Sequence, residues 1–388
     1  MFNIIENPLR IFVNMAGIYI HIPFCKQKCS YCDFHFSTSY QSYKSEMIDS
    51  LIRELSMRSS YLAEQEIETI YFGGGTPSLL SSGELKAIIT HINTTFSISD
   101  TAEISLEVNP DDISENQLMD WKKSGINRLS IGLQSFREED LKWMNRAHNS
   151  EEALNCVGLA KKAGFENISV DLIYGLPNFS AEDWKKNIKT VIRFGIQHVS
   201  AYCLTVEEKT VLSKWVAQKK IVPANEDDQS EQFETLVNEL EKAGIEQYEI
   251  SNFSLPGFHS KHNSNYWKGK HYLGIGPSAH SFNGTSRSWN IANNRTYMRE
   301  IQEGKRWFET EELTTKNQFN ELLLVGLRTS TGVNIERLIS IQNPSKKFWE
   351  QIETMKNYGW IIVTDQTITL TKAGKLKADH ISSELFID

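Results

Sequence analysis

Cys25, Cys29 and Cys32 fall within eight residues with the spacing C-x3-C-x2-C, and the 388-residue chain has only two other cysteines, Cys156 and Cys203. Three thiolates are one too few for a tetrahedral metal site, but they suffice for a four-iron, four-sulfur cluster with one iron left open. An open iron can take a small molecule, which turns an electron carrier into a catalyst or a sensor. His35 follows Cys32 by three residues, so a Cys3His zinc set has the same claim on spacing. A disulfide framework does not suit so long and cysteine-poor a chain. Spacing alone leaves cluster and zinc both open.

Other residues with chemical potential follow short apolar runs. Gly73-Gly74-Gly75-Thr76-Pro77 would let the backbone approach a ligand and offer it N–H groups, although a tight turn uses glycine in the same way. It has neither a phosphate loop's Gly-Lys-Ser ending nor dinucleotide G-x-G-x-x-G spacing. Glu107, Gln134, Asp171 and Tyr202 stand at or just past the ends of later runs.

Those runs are strands alternating with helices. Residues 17–22, 69–72, 103–108, 128–132, 167–173 and 198–204 predict strands. Residues 43–61, 83–92, 151–162, 181–194 and 228–243 predict helices, with another capped by Ser114 and ending before Gly125. Repeated βα order predicts an α/β fold with a parallel sheet, here a partial (β/α)6 barrel, with a doubly wound open sheet as the alternative. In such barrels the loops after the strands build the site, so the cysteines, glycines, Glu107, Gln134 and Asp171 are expected on one rim.

The expected organisation is an N-terminal extension at 1–14, a barrel at 15–250, a His-, Gly- and aromatic-rich loop segment at 251–310 closing the barrel, and a C-terminal module at 311–388. Residues 360–364 and 367–370 flank a turn, and with the helices before them they predict a smaller α+β, winged-helix-like module. Met15 is as plausible a start as Met1.

A net charge of −8 argues against nucleic-acid binding. The apolar segments are too short to span a bilayer, and the early one at 11–13 is broken by Asn14, so no signal peptide is expected. Thiols that must load a cluster or metal point to the cytoplasm.

Tyr19-Ile20-His21-Ile22-Pro23-Phe24-Cys25, the cysteine loop and Gly73–Pro77 resemble the radical S-adenosylmethionine superfamily. Within it the chain is similar to the oxygen-independent coproporphyrinogen oxidase-like family, which includes heme chaperones, from Gly17 through the C-terminal module. The resemblance implies a [4Fe–4S] cluster on Cys25, Cys29 and Cys32, with S-adenosylmethionine on its fourth iron. It also implies cofactor contacts from Tyr19, Tyr31, Gly74, Gly75, Thr76, Glu107, Gln134, Arg146 and Asp171. Arg146 rests on the resemblance alone.

The oxidases of this family have a fourth cysteine two residues after the third and a longer N-terminal extension. Here that position is Phe34, and 24 residues precede Cys25. His262-Asn263-Ser264-Asn265-Tyr266-Trp267 is similar to the chaperones' H-N-x-x-Y-W signature. It makes His262 a heme-ligand candidate, with His280 next. The expected function is therefore a heme chaperone that passes heme to an acceptor protein, meeting a membrane only through that acceptor. The alternative is an oxygen-independent coproporphyrinogen III oxidase, a radical oxidative decarboxylase of propionate side chains. Oxidase activity is not expected, and cleavage of S-adenosylmethionine is left open.

Overall fold

The computed structural model describes residues 15–387; the expected extension at 1–14 lies outside them. In chain order the strands are β1 (Met15–Ile22), β2 (Glu66–Gly74), β3 (Ile98–Val108), β4 (Arg128–Gln134), β5 (Asn167–Tyr174), β6 (His198–Cys203), β7 (Glu246–Glu249) and β8 (Asn252–Ser254). They continue as β9 (Tyr272–Ile275), β10 (His280–Phe282), β11 (Ser286–Asn290), β12 (Phe308–Glu312), β13 (Val333–Asn334), β14 (Ile361–Val363) and β15 (Thr367–Leu370). The chain divides into two compact units. One comprises residues up to Leu172 with Leu204–Val222 and Lys270–Glu311; the other comprises Ile173–Cys203, Pro223–Gly269 and the chain from Glu312.

The first unit carries the parallel sheet that the βα rhythm predicts. β1 pairs in parallel with β2 on one side and β9 on the other, and β2–β3, β3–β4 and β4–β5 continue in parallel. Ile18, Ile20, Ile22, Ile70, Phe72, Leu106, Leu129, Ile131 and Val170 are fully or almost fully buried, as strands covered on both faces require. The intervening helices start where the sequence offers caps. Ser81 and Glu84 close a capping box at Ser82–Thr95, Asn149 and Glu152 close one at Ser150–Lys162, and Ser114 accepts from the Gln117 N–H at Glu115–Lys123.

The stretch 251–310, expected as loop, is largely regular structure. It forms β8 to β11, part of β12, and the helices Lys261–Trp267 and Asn294–Glu303. β10 runs antiparallel to both β9 and β11.

In the second unit β8 pairs antiparallel with β6 and β7. A separate antiparallel sheet has the order β13-β15-β14 and is preceded or interleaved by the helices Thr315–Leu327, Ile335–Ile341 and Lys346–Asn357. Phe319, Leu323, Leu338, Phe348, Ile352, Ile368 and Ile381 form its core. Three helices followed by the β14–β15 hairpin give the winged-helix-like module. Among the described residues, no helix is long and apolar enough to cross a membrane.

Candidate cluster and cofactor site

The cysteine loop leaves the end of β1 and is pinned at several points. The Cys25 N–H donates to the Ser37 carbonyl at 3.1 Å, and the Ser37 N–H returns a bond to Pro23 at 2.9 Å. On the other side the Ser30 N–H donates to Met144 O at 3.0 Å, Gln27 Nε2 to Asn145 O at 2.9 Å, and Asn145 Nδ2 to Lys28 O at 2.8 Å. Lys26 forms ion pairs with Asp111 and Asp112 in the turn after β3.

The stitching to 144–145 also delivers Arg146. Its Nη1 reaches Cys29 Sγ at 3.5 Å, while Nη2 donates to Asn109 Oδ1 at 2.7 Å and to the Gly132 carbonyl at 2.9 Å. Its buried Nε has no hydrogen-bond partner among the described residues. Burial works against the guanidinium charge, but Tyr31 and Cys29 beside it more than restore its affinity for the proton. Burial, above all, pushes the Cys25 thiol up to about 12 and the Cys32 thiol to about 11; the neighbouring thiols add to it. Thr76 Oγ1 opposes this by donating to Cys25 Sγ at 3.5 Å. Such thiols stay protonated unless a metal centre takes the proton's place.

His35 does not complete a zinc set. Its Nε2 meets Asn294 Oδ1 at 2.7 Å. Among the described residues, no three His, Cys, Asp or Glu side chains gather about a single-ion position. Thiols that share one rim but not one ion position fit ligation of separate irons in a cluster.

Glycine forms the wall facing the loop. Gly74 has φ +105°, and a Cβ there would lie 2.5 Å from the His21 ring; at Gly75 a Cβ would lie 2.5 Å from the Phe24 carbonyl oxygen. The Gly74 N–H donates to Glu107 Oε2 at 3.2 Å, and Tyr71 Oη donates to Glu107 Oε1 at 2.8 Å. Burial first, and the nearby Asp171 carboxylate with it, raises the Glu107 carboxyl to about 7. Ser130 Oγ donates to Asp171 Oδ1 at 3.4 Å. The His21 Nε2–H donates to the His35 carbonyl at 2.8 Å, which leaves Nδ1 to accept from Tyr19 Oη at 3.2 Å. Gln134 sits at φ 66°, where the β4–β5 register slips between Gly132 and Gln134. Strain of this kind is common where a side chain is re-aimed at a ligand.

Tyr19, Tyr31, Gly74, Gly75, Thr76, Glu107, Gln134, Arg146 and Asp171 therefore lie in the same unit as the three cysteines. The sequence reading missed the residues that hold them. Tyr71 grips Glu107, and Asn109 bonds both Arg146 and Thr76, the latter at 3.4 Å. Both had a parity signal: Tyr71 precedes Gly73 by two residues and Asn109 follows Glu107 by two. Tyr202 and His262 belong to the second unit. His262, expected on a loop, lies on the helix Lys261–Trp267, is only 2% exposed, and bonds Tyr266 Oη through Nε2 at 2.9 Å. Phe34, by contrast, is 66% exposed.

The Radical SAM superfamily model matches residues 19–191. A heme chaperone HemW of Bacillus subtilis (strain 168) is 34% identical over 371 residues, covering 95% of this chain and 98% of that protein. The chain belongs to the HemW family of radical SAM proteins. HemW of Lactococcus lactis subsp. lactis is 33% identical over 95% of this chain and 97% of its own length, and HemW of Escherichia coli K12 is 36% identical over 68% and 69%. The solved coproporphyrinogen III oxidase (HemN) from Escherichia coli shares the fold, with a TM-score of 0.82 at 23% identity over 96% of this chain and 90% of that one. Radical SAM membership carries a [4Fe–4S] cluster and S-adenosylmethionine. The thiol trio, the glycine wall too tight for a Cβ and the orphaned Arg146 Nε fit that pair.

Proposed function

We propose that this chain is a heme chaperone that binds heme and hands it to an acceptor protein. The observation that carries this reading is the match to the Bacillus subtilis heme chaperone along almost the whole of both chains. Phe34 supports it, because an exposed aromatic stands where the oxidases of the wider family would place another thiol.

Cys25, Cys29 and Cys32 would hold the cluster, which supplies an open iron and an electron. Thr76 and Arg146 would steady two of the thiolates that hold it, Cys25 and Cys29. Gly74, Gly75 and Thr76 would present backbone to S-adenosylmethionine, and Tyr19, Tyr31, Glu107, Gln134 and Asp171 would line the remainder of its seat. With a carboxyl near 7, Glu107 can hold or release a proton there at neutral pH. A cytoplasmic location is part of the same proposal.

The test is anaerobic. Cluster-reconstituted protein with S-adenosylmethionine and reductant is expected to retain heme and to leave coproporphyrinogen III unchanged. Robust formation of protoporphyrinogen would establish the oxidase instead.

His262 is proposed as an axial ligand in a form in which its bond to Tyr266 has opened. His262→Ala is then expected to alter the heme spectrum while leaving the cluster absorbance as in the wild type. A heme spectrum identical to the wild type would remove His262 from the ligand set.

A further inference from the structure

The two faces of β9–β11 differ sharply. One face is covered: Arg58 Nη2 donates to Ser288 Oγ at 3.3 Å, and Asn290 Nδ2 donates to Glu54 Oε1 at 2.7 Å, both acting from the helix Lys44–Met57 or its C-cap. The other face carries His280, Phe282, Arg287 and Trp289. His280 lies opposite Trp289, and Phe282 opposite Arg287. The His280 and Trp289 rings have centroids 6.3 Å apart. His280 is exposed, and the other three are half-buried.

The strand register relates this face to β1. Phe282 is paired with Tyr272, so His280, two residues back on an antiparallel strand, falls beside Gly274; Gly274 in turn is paired with Tyr19. No side chain can stand at Gly274, because a Cβ there would lie 2.0 Å from the His280 carbonyl oxygen. Tyr19 and His280 therefore stand two strand spacings apart, roughly 10 Å, with the buried Gly274 between them.

We propose that His280, Trp289 and Arg287 form a docking shelf for a planar iron tetrapyrrole with acidic side chains, the imidazole bonding the iron. The chemistry matches part by part. An exposed imidazole is an axial ligand, the Trp289 ring, inclined 32° to that imidazole, offers the macrocycle an apolar edge, and Arg287 is a fork for a carboxylate. The ring is accessible at one edge and packed on the rest; that partial burial, and then the Arg287 charge, hold the His280 imidazole below its ordinary pKa, so it is neutral at neutral pH. Unlike His262, His280 needs no helix rearranged before it is reached. The proposal rests on the heme reading above and assigns it a site.

Hemin titration of the full-length, cluster-reconstituted protein tests it. His280→Ala is expected to weaken binding about tenfold or more and to shift the Soret band, with cluster absorbance unchanged. Arg287→Gln is expected to weaken binding of hemin but not of hemin dimethyl ester, which lacks the free carboxylates. Wild-type protein that binds hemin while His280→Ala matches it in affinity and spectrum would overturn the shelf alone. Wild-type protein that binds no hemin would overturn the chaperone reading and the shelf together.

Discussion

Gly75→Ala is expected to deprive the protein of its cluster. The added methyl would lie 2.5 Å from the Phe24 carbonyl oxygen, 2.8 Å from that of Ile22 and 2.9 Å from the Phe24 nitrogen. All three are backbone atoms, so no rotamer change can relieve the clash. The Gly75 N–H also donates to Ile22 O at 2.9 Å, and that bond would have to stretch. Phe24 immediately precedes Cys25, so relief must come from moving the first thiol. Overpacking of this kind costs about 1–3 kcal/mol, which a chain of this size can survive, but ligand geometry tolerates far less displacement than stability does. The expected result is folded protein with near-native far-ultraviolet circular dichroism that fails to take up iron and sulfide on reconstitution. Gly83→Ala, on a helix where the nearest atom to the added methyl is a side-chain oxygen at 4.0 Å, is the control and should load normally. Full cluster occupancy in Gly75→Ala would show that Phe24 can shift without carrying Cys25 with it.

The thiol loop and the parallel strands could be read in the sequence because their signals are local. Apolar runs such as 128–132 and 167–173 are buried on both faces, and the cysteines announce themselves by spacing. Arg146 could not be found in this way. It reaches Cys29 through a short helix, Glu138–Trp143, and a left-handed turn at Asn145, neither of which has a strong periodic pattern. The segment 251–310 misled for a different reason. β10 and β11 are three and five residues long and read His-Ser-Phe and Ser-Arg-Ser-Trp-Asn. Their covered face carries Ser281, Ser288 and Asn290, so burial there does not produce the apolar alternation that marks a strand. Ser281 bonds the Gly274 backbone, while Asn290 and Ser288 are satisfied by Glu54 and Arg58 of the helix behind them and its C-cap, and such long-range pairing leaves no trace in a sequence window. His262 was identified as a residue of interest from its motif, but its helix, seven residues long and capped by Ser260, was not.

The same covered face bears the largest expected stability effect, from Glu54→Ala. The Glu54 carboxylate is fully buried and accepts from four donors: the Gly276 N–H at 2.8 Å, Asn290 Nδ2 at 2.7 Å, Trp307 Nε1 at 2.8 Å and Tyr297 Oη. They come from the end of β9, the end of β11, the helix Asn294–Glu303 and the residue before β12, so one side chain ties four segments to the helix Lys44–Met57. Arg58 adds an opposite charge nearby. Alanine would leave these donors buried without an acceptor and Arg58 without its counter-charge, at a cost of about 3–5 kcal/mol. For the unit concerned, that corresponds to a fall in Tm of roughly 10 °C. Glu54→Gln keeps one acceptor oxygen but turns an NH2 toward donors, and should recover only part of the loss. Burial, the largest influence, holds the Glu54 carboxyl above its ordinary value. The native state therefore binds this proton more tightly than the unfolded chain does. The group's contribution must then fall as pH rises from the ordinary carboxylate range through the raised value. Thermal melts of wild type and Glu54→Ala across that range should thus converge slightly toward its upper end while remaining well apart. Coincident melts at every pH would mean that water replaces the carboxylate at no cost.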